Sequence, residues 1–218
     1  MSPASDAAGR VQFLIKEAGD MTRALPQCPI GARAYLDGPH GQFAIPASAS
    51  AVVMYAGGIG IAPFLSLLAD CAARQDRRPI RLVYADKCMS QMVDVVALSG
   101  AEALHDFQLL PMPEQPDAGW TGLRGRLDAA GVAKALQHPA LAPLAGSTVH
   151  LVCGPPPMMD AVECALTAHG VPAAHVVSEH FQYAFAGQSP LARRTRHAWL
   201  AVSAAALAGV ALAAIWRA

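Results

Sequence analysis

The stretch VVMYAGGIGIAPFLSLLADCA, residues 52–72, decides the fold. An apolar, β-branched run of strand length reaches three closely spaced glycines and a proline. A segment with helical apolar spacing follows, at Phe64, Leu65, Leu67, Leu68 and Cys71. This is a buried strand, a tight turn and a helix. Working outward, the alternation recurs. IRLVYA (80–85) predicts a strand, 91–104 a helix, 107–111 a strand, LDAAGVAKAL a helix, TVHLVCG (148–154) a strand, PMMDAVECALTAHG a helix ending at Gly170, and AHVVSEHF a last strand. Strands and helices alternating at these lengths form an α/β domain, a parallel sheet with helices on both faces.

The flanks differ from this middle. VQFLIK (11–16) and GARAYLDGPHGQF (31–43) read as strands, the second closed by Gly and Pro punctuation, and a Pro, Ala and Ser linker follows at 46–50. At the other end, AWLAVSAAALAGVALAAIW (198–216) runs without a charge and as a helix spans about 28 Å, close to the thickness of a bilayer core. Trp199 and Trp216 stand where interfacial aromatics belong. Arg193, Arg194 and Arg196 precede the run and Arg217 follows it, which predicts a single span with the globular part facing the cytoplasm. A buried, Ala-rich core helix is the alternative. No internal repeat is visible.

Composition narrows the function classes. Sixteen basic and sixteen acidic residues cancel, so the charge balance gives no reason to expect a nucleic-acid partner. The five cysteines, Cys28, Cys71, Cys88, Cys153 and Cys164, include no C-x-x-C pair, which argues against a disulfide framework or a zinc site and for a reducing compartment. The start MSPASDAAGR lacks the basic and apolar regions of a signal peptide.

In an open parallel sheet, ligands bind beyond the carboxyl ends of the strands, where AGGIGIAP is placed. Gly57, Gly58 and Gly60 would let a pyrophosphate approach the backbone, and a helix starting near Pro63 offers unpaired N–H groups. Glycines at a strand-to-helix turn also arise for packing alone, and the spacing is G-G-x-G rather than G-x-G-x-x-G. A second strand, VHLVCGPPPMMDAV (149–162), runs into a Gly and Pro loop and puts Cys153 and Gly154 at the same edge. A lone cysteine there also reads as an inert core residue.

Taken together, AGGIGIAPFLSLL, IRLVYADK, GWTGLRGRLDAA, LVCGPPPMMDAVECAL and VVSEHF resemble the nucleotide-binding half of the ferredoxin reductase superfamily. The resemblance is nearest to its membrane-associated ferric reductase and NADPH oxidase-like branch, and covers roughly residues 10–183. It implies that Gly57, Gly58, Gly60, Ala62, Pro63, Cys153, Gly154, Pro155, Pro156 and Met158 line a nicotinamide dinucleotide site. The family usually has Thr or Ser where Ala62 stands, so one hydroxyl near the cofactor is missing. Asp86 and Lys87 follow the second strand, where an acid favours NADH and a base favours NADPH; both are present, and the choice stays open.

For the flavin, FAD, KEAGDMTRAL resembles the segment that binds its pyrophosphate, implicating Gly19 and Thr22. The alternative is a capped turn with Thr22 as N-cap. SEHF matches a motif that places Glu179 and Phe181 beside the flavin ring, a buried core Phe being the plainer reading. Cys153 and Glu179 are the implied catalytic residues. The expected organisation is therefore the C-terminal part of a flavin-binding antiparallel β-barrel (1–48), an NAD(P)H-binding domain (49–183), a basic linker (184–196) and a transmembrane helix (197–217). The family barrel has six strands and its flavin motif lies upstream of VQFLIK, so another chain would complete the barrel, or the sequence is a truncated form, or no flavin is bound. His197 sits at the edge of the apolar run and no histidine lies inside it, so a membrane haem would come from a partner.

The implied function is an oxidoreductase that passes hydride from NAD(P)H to FAD and electrons onward to a membrane haem, metal or other acceptor. The alternatives are a membrane-tethered, non-catalytic nucleotide-binding subunit, and a soluble reductase whose C-terminal helix packs on the core.

Overall fold

The computed structural model describes residues 11–38, 41–137 and 147–180, all within one compact unit, Met1–Phe181. Five strands form one sheet: β1 (Ala51–Gly57), β2 (Ile80–Asp86), β3 (Phe107–Pro113), β4 (Thr148–Cys153) and β5 (Val176–Glu179). Their order is β3-β2-β1-β4-β5 and every pairing is parallel. The sheet thus grows in opposite directions from β1, and the chain crosses over between β1 and β4.

Burial explains why the central strands read so plainly. All seven residues of β1 and all six of β4 are buried, as strands covered on both faces must be. Alternation divides β1 between two cores. Val52, Met54 and Ala56 pack with Ile61, Phe64, Leu68 and Cys71 around helix α2 (Ala62–Ala73). Val53 and Tyr55 pack on the other face with Val132 and Ala135 of α4 (Ala129–Leu136) and Met159, Val162 and Leu166 of α5 (Pro156–Ala168). Each fully buried side chain of this size contributes roughly 1.5–3 kcal/mol. The expected helices on both faces are present.

One expected helix is shorter. The segment 91–104 contains only α3 (Val95–Ser99), between two single 3-10 turns. Asp94 caps its start by accepting the Ala97 N–H at 3.0 Å, and Gly100, at φ 64°, takes the left-handed conformation that ends it.

The antiparallel barrel expected upstream is not seen among the described residues. Among the described residues before Ala51 no strand forms; beyond an isolated bridge at Val11, residues 11–18 and 32–38 are irregular or extended. KEAGDMTRAL instead carries the short helix α1 (Asp20–Ala24). An extended segment becomes a strand only when a neighbour takes up its N–H and C=O groups, and the described residues include no such neighbour. Large apolar side chains of these segments stand in the open: Ile15 is 53 %, Tyr35 87 % and Leu36 67 % exposed. The segment is nonetheless moored to the sheet domain. Phe43 meets Phe64 edge-to-face at 5.6 Å, and Arg78, ion-paired with Asp76, donates to the carbonyls of Pro46 and Ala49, both at 3.3 Å.

The apolar run 198–216, and with it the linker and span expected at 184–217, lies outside the described residues. Among the described residues no helix is long and apolar enough to cross a membrane.

One polar pair is buried in the second core. His150 stacks on Tyr55 with ring centroids 6.0 Å apart, and the Tyr55 hydroxyl lies 3.4 Å from His150 Nδ1. Burial, assisted by the nearby His175, holds the His150 imidazole down at about 4. Between the ordinary histidine value and that point, the unfolded chain takes up a proton that the folded chain refuses, so stability falls as pH falls through this window. Urea unfolding at intervals from pH 7 to pH 4 checks this. The protein should lose about 3 kcal/mol more than a His150→Gln variant over the range.

Candidate functional site

The register brings the singled-out residues to one edge. Gly57 is level with Ala85, Ala56 with Cys153, Cys153 with Glu179, and Asp86 with Pro113, all at the carboxyl ends of their strands. Adjacent strands β1 and β4 leave the sheet toward opposite faces here, which opens a crevice at the topological switch point. The two loops predicted to share a rim do so in direct contact.

The three glycines of the turn have different physical reasons. A Cβ on Gly60 would overlap the Cys153 carbonyl oxygen and stand 2.8 Å from the Gly154 Cα, so this glycine exists to let the two loops touch. A Cβ on Gly57 would run into the Met158 sulfur and come within 2.9 Å of Pro155 Cδ. Gly58 is the one that faces open space. Its φ of 52° is the left-handed conformation, and a Cβ there would lie 4.0 Å from the Asp86 carboxylate.

Between the loops lies a cleft of about 450 Å³, a volume within the range of small-ligand sites. Of the residues expected from sequence, Gly57, Gly58, Asp86, Lys87, Pro155 and Met158 line it. Gly60, Cys153, Gly154 and Pro156 lie behind its wall or beside it. Ala62 and Pro63 open α2, and Ala62 lines a smaller hollow of about 60 Å³ against Gln12 and Leu14. Sequence reasoning did not single out Lys16, Glu114, Arg126 or Asp128, which also line the cleft. The last two fall within GWTGLRGRLDAA, and the capping pattern at its end was the available signal: Asp128 accepts the Gly131 N–H at 2.9 Å and starts α4. Arg126 lies 3.7 Å from Glu114 in an exposed ion pair.

A dinucleotide fits what is present. The cleft has a backbone wall at Gly57 and Gly58, an apolar wall at Leu127, Pro155 and Met158, and charged side chains at the far end of β2 and β3. The Asp86 carboxylate accepts the Lys87 N–H at 2.7 Å and stays beside Gly58.

Toward a flavin the described residues offer less. Thr22 is not the N-cap of α1: Gly19 is, and the Thr22 hydroxyl accepts the N–H groups of Ala18 at 2.9 Å and Gly19 at 3.0 Å while donating to the Gly19 carbonyl. That hydroxyl is spent within its own turn. Glu179 ends β5 half-buried, its carboxylate 3.7 Å from where a Cβ on Gly41 would lie. Phe181 lies outside the described residues. The Cys153 side chain is fully buried in the first core, and burial, with the Glu179 charge adding to it, pushes its thiol up to about 12. It is held as a thiol rather than an exposed thiolate. Among the described residues no cluster of His, Cys, Asp and Glu could hold a metal ion.

Comparison with known proteins agrees with this geometry. The family model described as oxidoreductase NAD-binding domain matches residues 54–164, just over half of the chain. NADH-cytochrome b5 reductase 1 of Laccaria bicolor is 29% identical over 183 residues, covering 80% of this chain and 57% of that protein. The anthranilate 1,2-dioxygenase electron transfer component of Acinetobacter baylyi is 26% identical over 181 residues, covering 81% of this chain and 50% of that protein. Among solved structures, a ferredoxin reductase in carbazole 1,9a-dioxygenase shares the fold with a TM-score of 0.67 and 24% identity, over 83% of this chain and 54% of that one. The chain thus spans about half the length of the curated relatives it matches.

The glycines separate by substitution. Gly60→Ala forces a methyl into a backbone carbonyl and should cost about 3 kcal/mol or more. Gly58→Ala carries only the left-handed backbone penalty, about 1 kcal/mol, while placing a methyl in the cleft. Urea unfolding should therefore rank Gly60→Ala as the more damaging, whereas NADH titration should find Gly58→Ala weakened even where the chain is fully folded.

Proposed function

Because the chain belongs to the oxidoreductase NAD-binding domain family, we propose that it is the nicotinamide-docking module of a flavin-dependent electron-transfer reductase. It is a ferredoxin reductase-like domain, of the group that binds NAD(P)H and FAD and includes the cytochrome b5 reductases and dioxygenase reductase components. One observation carries the reading: the glycine turn after β1 and the Cys-Gly-Pro loop after β4 touch at Gly60 and frame a single cleft at the switch point. The nicotinamide cofactor supplies the hydride and the flavin accepts it. The protein contributes position. Gly57 and Gly58 admit the dinucleotide backbone, Met158 and Leu127 exclude water from one wall, and Asp86 sets the charge at the ribose end. Cys153 and Glu179 stand together at the end of β4 and β5 as a neutral thiol beside a carboxylate, the place proposed for the reacting end.

Lys16 and Lys87 line the cleft as well, and in this proposal Asp86, held beside Gly58, is the group that selects NADH. Asp86 beside Gly58 would accept a ribose hydroxyl and repel a 2′-phosphate, and Arg126 already shares its charge with Glu114. A like-charge repulsion across this partly wet edge is worth on the order of tenfold in affinity.

Electrons would pass to an acceptor outside the described residues. A membrane haem or metal, as in the ferric reductase-like branch, is our proposal where a helix over 197–217 tethers the chain with the globular part on the cytoplasmic side. Deleting residues 197–218 should then release the protein from membranes on fractionation.

A second reading, a nucleotide-binding subunit without its own flavin, is favoured by one observation: no strand forms among the described residues before Ala51. Anaerobic addition of NADH to flavin-loaded protein decides between the two. Bleaching of the flavin, with NADPH at least tenfold less efficient and the gap narrowed in Asp86→Asn, supports the reductase. A colourless preparation that binds NADH and reduces no added flavin supports the subunit.

A further inference from the structure

The wall of the cleft contains one sulfur atom. Met158 sits half-buried in the seam between the two loops, and its thioether fills the space that both glycines leave. A Cβ on Gly57 would overlap the Met158 sulfur, and a Cβ on Gly154 would stand 2.8 Å from its terminal carbon and 3.0 Å from the sulfur. The same Gly154 position is 3.1 Å from the Gly57 backbone nitrogen, so the loops leave no second cavity beside the sulfur on that side. Nor can the residue move away easily. Its backbone N–H donates to the Pro155 carbonyl at 2.9 Å, in the first turn of a helix that begins with Pro156 and Pro157.

From this placement we propose that Met158 is an oxidation-sensitive latch: conversion of its thioether to the sulfoxide by a peroxide dismantles this wall of the cleft and releases the nicotinamide dinucleotide. The inference rests on the reading of the cleft as a dinucleotide site. In the step, a sulfur lone pair attacks one oxygen of hydrogen peroxide, the O–O bond breaks and an S–O bond forms. The transferred oxygen gives its proton to the departing hydroxide, which leaves as water. Sulfur is oxidised by two electrons and peroxide is reduced by two. The product is larger by one oxygen and strongly polar, where the thioether was apolar and flexible. Flanked by Gly57 and Gly154, the new oxygen has two outlets. It projects into the cleft, where the ligand would lie, or it forces Met158 out of the seam that joins the loops. Either outcome removes a wall of the site, and sulfoxide reduction restores it.

The test treats the full chain with graded hydrogen peroxide, locates added oxygen by peptide mass mapping, and measures NADH affinity at each stage. The expected result is a rise of tenfold or more in Kd that tracks oxidation of Met158 rather than of Met21, which is 76 % exposed. Methionine sulfoxide reductases with a thiol reductant should reverse it. A Met158→Leu chain, compared with its own untreated form, should change less than twofold. The proposal is overturned if Met158 gains oxygen while Kd stays constant, if the loss is equally large in Met158→Leu, or if Met158 resists peroxide that oxidises Met21. Recovery by the reductases is measured on the unmodified sequence and needs no variant to fold. An untreated chain that binds no NADH would instead remove the dinucleotide reading itself, and the latch with it.

Discussion

The structure depends on a backbone contact made possible by one missing side chain. Gly60 lies against the carbonyl of Cys153, and this is the place where the β1 and β4 halves of the sheet are joined at their carboxyl ends. Were that contact wider by the thickness of a methyl group, α2 would tilt off the first core, where Phe64 and Leu68 are completely buried, and the crevice between the loops would lose its floor. The packing of the two halves and the shape of the crevice therefore rest on the same residue.

The two faces of the sheet are built differently around that contact. The α2 side is largely apolar and carries the Tyr84 ring and the buried Cys71 and Cys153 thiols. The α4 and α5 side holds the Tyr55 and His150 rings, a buried aromatic stack with one polar contact. A neutral imidazole is the form that such a site accepts. Charged groups line the cleft rim instead, and Asp76 and Arg78 form a clamp in which Arg78 binds the linker that leads into β1.

The sheet was legible because β1, β2 and β4 are buried on both sides and so spell continuous apolar runs of strand length, each ending in Gly, Asp or Cys-Gly. Helix α5 was legible from its prolines and from Gly170, which at φ 79° ends it as anticipated. Two classes of feature were not. VQFLIK reads as a strand, but pairing requires a neighbour, so the pattern could not reveal that among the described residues 11–16 would form no more than an isolated bridge at Val11. Lys16, from the segment before α1, and Glu114 and Arg126, both from the connection between β3 and α4, meet at the cleft only once the chain is folded. For the same reason the roles of Gly57, Gly58 and Gly60 could not be sorted in advance: what each one touches lies on β2 or about a hundred residues downstream.

The loop after β4 contains Pro155, Pro156 and Pro157 in succession. Proline has no amide hydrogen, so this side of the crevice presents three consecutive backbone positions that can donate nothing. Any anionic group held there must draw its hydrogen bonds from the opposite loop or from side chains. The crevice is thus divided by chemistry: one bank can donate backbone hydrogen bonds and the other, at these three positions, cannot. A bound phosphate would be drawn to the glycine bank, leaving the proline bank to the uncharged portions of the molecule.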